Sequence, residues 1–187
     1  QVQEKELQSF LGLDFSMHEL YRDSNGNEPA YPGYYRKAEK KLAREQKRLS
    51  HCEKGSRNYQ KQKKRVALCH EKIKNQRKDF QHKLSRELAE RYDAVCVEDL
   101  NLQGMSGGLH LGKGVQDNGY GQFLSMLGYK LEERGKHLIK VDRYFASSKI
   151  CSVCGHKKKE LALSDRMYVC DCGNRMDRDV NAAVNIR

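Results

Sequence analysis

A chain of 187 residues with 36 Lys and Arg against 25 Asp and Glu carries a formal net charge of +11. That balance points to a polyanionic partner, with nucleic acid ahead of an acidic membrane surface. Only 37% of the residues are hydrophobic, none is Trp and 33% are charged, which suits one modest core with a small satellite and excludes two large domains.

No run approaches the eighteen or so apolar residues of a membrane span, and no signal-peptide pattern opens the chain. The polar start, Gln1 to Gln8 without an initial Met, reads as a cut from a longer protein. Phe10-Leu11-Gly12-Leu13-Asp14 is a short apolar run ending on a carboxylate, and Ser24-Asn25-Gly26-Asn27 is a hairpin turn signal. Phe10 to Tyr31 is therefore expected to form two or three antiparallel strands, closed by Pro32-Gly33. From Arg36 to Arg91 the pattern becomes helical. Leu42 and Leu49 are followed by Val66, Cys69, Ile73, Phe80, Leu84 and Leu88 at three-and-four spacing, and Gly55-Ser56 interrupts the run. This predicts two long helices in an antiparallel hairpin. Their outer faces carry Lys40, Lys41 and Arg44 among many cations, read either as a solvated helix face or as a surface that tracks phosphates.

Ala94-Val95-Cys96-Val97 predicts a buried strand that again ends on acid, Glu98-Asp99. A Gly-rich loop, Gly104 to Gly114, leads to a helix marked by Phe123, Leu124, Leu127 and Leu131. Gly135 ends that helix, and Leu138 to Val141 forms the next strand. A cysteine module fills Ile150 to Asn174, and Asp177-Arg178-Asp179 opens a last helix with an acidic cap.

Seven cysteines are too odd a number for a fully paired disulfide framework, and the clustering of four points to metal in a reducing compartment. Cys151-Ser152-Val153-Cys154-Gly155 is one knuckle and Cys170-Asp171-Cys172-Gly173 a second, the latter with one intervening residue instead of two. Four thiolates around Zn²⁺ form a closed structural site with no position left for a reacting water. A redox pair at Cys151 and Cys154 is the competing reading. The module would brace the last helix and present Lys157, Lys158 and Lys159 to a nucleic acid strand. Of the other cysteines, Cys96 suits a buried strand, Cys69 an apolar helix face and Cys52 a polar turn. His51 and His70 have no convincing ligand spacing.

Asp14 and Glu98 at strand ends, with Asp179 in the first turn of a helix, could converge as three hard oxygen ligands for Mg²⁺ or Mn²⁺. Singly, each also has an ordinary reading, as a turn residue, an ion-pair partner or an N-cap.

Taken together, the words Gly12-Leu13-Asp14, Val95-Cys96-Val97-Glu98-Asp99-Leu100-Asn101, Lys140-Val141-Asp142-Arg143, Ser147-Ser148-Lys149 and Asp177-Arg178-Asp179-Val180-Asn181-Ala182-Ala183 resemble the RuvC-like nuclease domain of the TnpB family, related to type V CRISPR effectors. The basic run Arg36 to Leu42 is similar too, and the likeness extends from about Phe10 to Ile186. The resemblance implies an α/β, RNase H-like (RuvC-like) fold with a long inserted helical hairpin and an inserted four-cysteine zinc ribbon. It divides the chain into a nuclease domain (1–149, hairpin about 36–91), a ribbon (150–175) and a final nuclease segment (176–187). It implies a DNA endonuclease working with two Mg²⁺ ions, whose catalytic acids fall on Asp14, Glu98 and Asp179, with Asp177 the rival for the third place. It implies DNA as substrate, guide RNA as partner of the full-length protein, no membrane, and a cytoplasmic, nucleoid-associated setting in a bacterium or archaeon. No oligomeric state follows from it. A non-catalytic nucleic-acid-binding regulator and a strand-transferring transposase of the same ancestry are the alternatives.

Overall fold

The computed structural model describes residues 7–102, 104, 119–162 and 164–187, so the Gly-rich loop expected from Gly104 to Gly114 lies almost wholly outside the described residues. The first two strands are β1 (Phe10–Ser16) and β2 (Leu20–Asp23). They pair antiparallel, with Leu13 opposite Asp23 and Ser16 opposite Leu20. Two strands, not three, therefore account for the expected antiparallel segment. β1 also runs two residues beyond Asp14, which sits inside the strand and not at its end.

The helical hairpin follows as α1 (Tyr34–Ser50) and α2 (Arg57–Arg91). Ser56 starts α2 by accepting the Tyr59 amide at 3.1 Å, which satisfies a donor that the first turn leaves over. The two helices are clasped by a buried amide. Gln62 Nε2 donates to Glu45 Oε2 at 2.7 Å and to the Glu45 carbonyl at 3.0 Å. Along the apolar stripe of α2, Ile73, Leu88 and Ala89 are buried, whereas Val66 and Cys69 are half-buried, Cys69 lining an open groove between the helices.

β3 (Ala94–Glu98), α3 (Tyr120–Glu132), β4 (His137–Val141), a single 3-10 turn (Ser147–Lys149), β5 (Met167–Val169), β6 (Arg175–Asp177) and α4 (Arg178–Ile186) complete the order. The main sheet runs β2-β1-β3-β4, and the β1–β3 and β3–β4 pairs are parallel. β5 and β6 form a separate antiparallel hairpin inside the cysteine module.

The sheet is covered on both faces, which is why Ala94 to Val97 reads as a continuous apolar run. Leu11, Leu13, Val95 and Val97 pack on one side against Leu88 and Ala89 of α2 and Tyr120, Phe123, Leu127 and Leu131 of α3. The intervening residues, Gly12 and Cys96, turn to α4 on the other side, since side chains alternate along a strand. Gly12 is there for space. A Cβ at this position would stand 1.9 Å from the Ala183 carbonyl oxygen and 2.7 Å from the Arg187 nitrogen. With Ala182 and Ala183 also small and buried, α4 lies nearly on the backbone of β1.

Among the described residues, no helix is long and apolar enough to cross a membrane.

Candidate functional site

The alternation that sends Gly12 and Cys96 toward α4 sends Asp14 and Glu98 the same way. The ladder pairs Gly12 with Cys96 and Leu13 with Val97, so Asp14 follows on the next rung beside Glu98. Above them α4 begins. Asp177 is its N-cap, one carboxylate oxygen accepting the amides of Asp179 at 2.9 Å and Val180 at 3.1 Å. Asp179 lies in the first helical turn, its Oδ1 3.4 Å from Arg178 Nε.

The three acids sense one another. Asp14 is pushed up to about 8, chiefly by burial, then by the charges of Glu98 and Asp179. Arg178 opposes the shift, and Asp177 adds a smaller push than Asp179 does. In the protein without a cation, Asp14 therefore holds a proton at neutral pH. The carboxylates are nevertheless not drawn into one tight knot. Among the described residues, the only group of metal-ligating side chains whose ligand atoms all lie within 4.8 Å of one another is the four cysteines. A buried Asp14 that keeps its proton beside two further carboxylates is the state such a donor set takes without a cation. Hard carboxylate oxygens of this kind fit Mg²⁺ or Mn²⁺.

Four residues to which the sequence assigned no role of their own hold the site in shape. Tyr120 is buried beneath it, its hydroxyl pushed up by burial and then by Asp14 and Glu98. Ser147 Oγ, itself buried, donates to Glu98 Oε1 at 2.6 Å. Asn181, fully buried on α4, donates to the Ile150 carbonyl at 2.7 Å and accepts the Ser152 amide at 3.0 Å. Asn185 donates to the Ser147 and Ile150 carbonyls, both at 2.7 Å. The partners of the two asparagines are mainly backbone atoms of another segment, so no side-chain pattern advertises them. By these bonds the start of the cysteine module is stapled to the helix that carries Asp179, and the turn before it to Glu98.

In that module the thiols converge in two close pairs. Cys151 Sγ lies 3.6 Å from Cys172 Sγ, and Cys154 Sγ 3.6 Å from Cys170 Sγ. A tetrahedron with Zn–S bonds of about 2.3 Å has edges of roughly 3.8 Å, so the four sulfurs fit Zn²⁺. The single-residue spacing of Cys170 and Cys172 does not prevent this, because each reaches a different cysteine of the first knuckle. Both knuckles close through glycine in the left-handed region, Gly155 at φ 74° and Gly173 at φ 90°. Their amides donate to the Cys151 and Cys170 carbonyls at 2.9 and 3.0 Å.

Burial opposes ionisation of Cys151, but the Cys154 amide, the Asn174 side chain and the Val153 amide bring its thiol down to about 6. Cys172 goes the other way, up to about 12; the Asn174 amide favours its thiolate, but the neighbouring thiols and burial outweigh that amide. One thiolate forms easily while Cys154 and Cys172 resist ionisation, a resistance that a bound cation would offset.

The cations expected on nucleic acid are placed as follows. Lys157 and Lys159 are exposed, while Lys158 is half-buried with its Nζ 5.1 Å above the Tyr168 ring. Lys40, Lys41 and Arg44 are exposed on α1. Lys41 also lines a 790 Å³ groove between α1 and α2, with Lys37, Arg48, Arg65 and Lys72. Residues 34–91 hold 20 Lys and Arg against 7 Asp and Glu, a net of +13 that exceeds the charge of the whole chain.

Residues 1–108 match the family model described as "Probable transposase", and residues 120–186 match that of the "Cas12f1-like, TNB domain". A protein of Streptomyces pristinaespiralis named "Putative RNA-guided DNA endonuclease" is 38% identical over 94% of this chain and 44% of its own length. InsQ of Escherichia coli K12, which bears the same description, is 32% identical over 95% of this chain and 48% of its own. The chain thus spans just under half the length of these curated relatives. Among solved structures, the Cas12f1-sgRNA-target DNA complex aligns over 97% of this chain and 50% of that one, with TM-score 0.67 at 20% identity. That likeness is one of fold.

Proposed function

This chain belongs to the TnpB family, and on that premise we propose that it carries the RuvC-like, RNase H-like nuclease centre of a transposon-associated RNA-guided DNA endonuclease. The substrate is DNA, hydrolysed at a phosphodiester bond, and the guide RNA is held by the full-length protein. Asp14, Glu98 and Asp179 are the catalytic carboxylates, and they bind Mg²⁺ or Mn²⁺. The observation that carries this reading is the raised acid of Asp14, buried among two further carboxylates that a phosphate-binding surface alone has no use for.

Each residue then has a definite task. Asp14 gives up its proton when a cation binds and becomes a rigid ligand from inside β1. Glu98 is oriented by the Ser147 hydroxyl, which leaves its other oxygen for the ion. Asp179 is the third ligand in preference to Asp177, whose oxygen is occupied by the two amides of the helix start. When bound, a pair of Mg²⁺ ions supplies Lewis-acid stabilisation of the attacking and departing oxygens of the phosphodiester. The zinc ribbon takes no part in that chemistry. It fixes α4, and hence Asp179, through Asn181 and Asn185. The +13 hairpin supplies the electrostatic hold on the nucleic acid backbone.

The test is cleavage of guide-matched DNA by the full-length protein carrying Asp14→Ala or Glu98→Gln, with Mn²⁺ binding to the same variants measured by calorimetry. Loss of both cutting and high-affinity Mn²⁺ uptake, in a protein that still folds, is the expected result. Persistent cutting by either variant would sink the assignment.

A further inference from the structure

Immediately beyond β4 the chain exposes an aromatic pair. Tyr144 is 89% exposed and Phe145 37%. A scattered surface aromatic is ordinary, but this one is presented by a tightly made turn. Asp142 Oδ1 accepts the Tyr144 amide at 2.7 Å, and the Asp142 carbonyl accepts the Phe145 amide at 3.0 Å. Arg143 anchors the same turn to the end of β3, its Nε donating to the Asp99 carbonyl and its guanidinium pairing with the Asp99 carboxylate, both at 3.0 Å. The ring is thus held out into solvent by a backbone with little freedom of its own.

Its position is equally specific. The Phe145 carbonyl accepts the Ser147 amide at 2.9 Å, and Ser147 in turn holds Glu98. Tyr144 lies three residues before Ser147, which touches a site carboxylate, at most about 11 Å of chain. That distance corresponds to about three stacked nucleotides of one strand. Lys140 and Arg143 flank the turn, both paired with the Asp99 carboxylate.

We propose that Tyr144, backed by Phe145, is a stacking platform for an unpaired base of a single strand lying across the carboxylate site. A flat ring of any base can lie on it, so the platform recognises single-strandedness and not sequence. Bases inside a duplex are stacked on each other and have no free face to offer. The proposal deepens the nuclease reading, because that reading makes the polyanion here DNA. Its test nevertheless reads binding in the absence of added Mg²⁺.

The chain has no Trp, so Tyr144→Trp installs a single reporter at the platform. With the zinc-loaded 187-residue chain, a single-stranded oligothymidylate is expected to quench this emission more than a duplex of equal length. The quenching should persist at salt concentrations that weaken phosphate contacts. Tyr144→Ala should lower affinity for the same oligonucleotide by about 5- to 150-fold, and Tyr144→Phe should restore it. Unquenched indole emission from Tyr144→Trp, equal quenching by duplex, or unchanged affinity in Tyr144→Ala overturns the platform. Because Asp14→Ala leaves the platform intact, quenching of the reporter in that background should match the parent, which separates failure of this proposal from failure of the nuclease assignment.

Discussion

The molecule holds two clusters of acidic ligands, and they stand in opposite conditions. Four thiols have already closed to within 4.8 Å of one another, while Asp14 on the main sheet is raised to about 8, first by burial and then by the charges of Glu98 and Asp179. The difference is one of proton chemistry and of scaffold. Four thiols of which Cys151 alone ionises readily can approach with little electrostatic penalty, and their ribbon has a small core: Cys151, Tyr168 and Cys170 are buried in it among the described residues, with Leu161 against them. Carboxylates repel once ionised, so one of these keeps its proton, and their scaffold, a four-stranded sheet packed on both faces, needs no cation to exist. One cluster should therefore depend on its metal to fold, and the other only to act.

Zinc removal is the largest expected break in that comparison. Structural Zn²⁺ in small fingers contributes on the order of 10–16 kcal/mol of apparent binding energy at neutral pH, far more than a module with so small a core can replace. A strong chelator, or Cys151→Ser with Cys154→Ser, should unfold β5, β6 and both knuckles while the sheet, α2 and α3 persist. Hydrogen exchange reads this directly. Amides of 167–177 should lose protection and those of 94–97 should keep it. Retained protection in the ribbon after zinc is stripped would place its stability in side-chain packing instead.

The carboxylate cluster predicts a different signature, a slope in pH. The folded state holds the Asp14 proton up to about 8, whereas the ordinary value is 3.8. The folded state thus binds the extra proton, so this contribution to stability is intact below about 4 and is lost as pH rises through about 8. A tenfold change in proton affinity is worth about 1.4 kcal/mol, so the loss is on the order of 5–6 kcal/mol by pH 8 to 9. In denaturation without divalent metal, Asp14→Asn should remove this slope and be more stable than the parent at pH 8, although inactive. Saturating Mn²⁺ should flatten the slope of the parent. Parallel slopes in the two proteins would mean that Asp14 is not the buried acid described.

The same contrast explains what could be read from the sequence. The cysteine site was legible because its ligands come as two local pairs with glycine behind each, and a knuckle is a local structure. The helical hairpin was legible from apolar spacing, though not that Cys69 would line an open groove. Asp14, Glu98 and Asp179 lie far apart in the chain and each has an ordinary use. Only their order among familiar neighbouring words joined them, and placing Asp14 at a strand end was an error of two residues. Gly12, Ser147 and Asn181 were legible only as part of those words, and Asn185 not at all, because what they meet is the Ala183 carbonyl, the Glu98 carboxylate and the Ile150 carbonyl. Those contacts exist only once α4 has folded onto β1 and the ribbon onto α4.

Asn181 is where the two clusters meet, and it offers the smallest and most discriminating test. Its buried side chain bonds the Ile150 carbonyl and the Ser152 amide on either side of Cys151, two residues along α4 from Asp179. Asn181→Ala strands the Ser152 amide, a cost of about 1–3 kcal/mol, and leaves the Ile150 carbonyl to Asn185 alone, with all seven proposed metal ligands in place. If the ribbon merely sits beside the sheet, the variant should lose that stability and nothing else. If the ribbon positions α4, divalent-ion affinity at the carboxylates should fall as well, by a few-fold to tenfold, with zinc stoichiometry still one per chain. Titration of Mn²⁺ into zinc-loaded Asn181→Ala decides between them. Unchanged Mn²⁺ affinity would make the ribbon's hold on α4 irrelevant to the carboxylates, and the two clusters would be neighbours only in sequence.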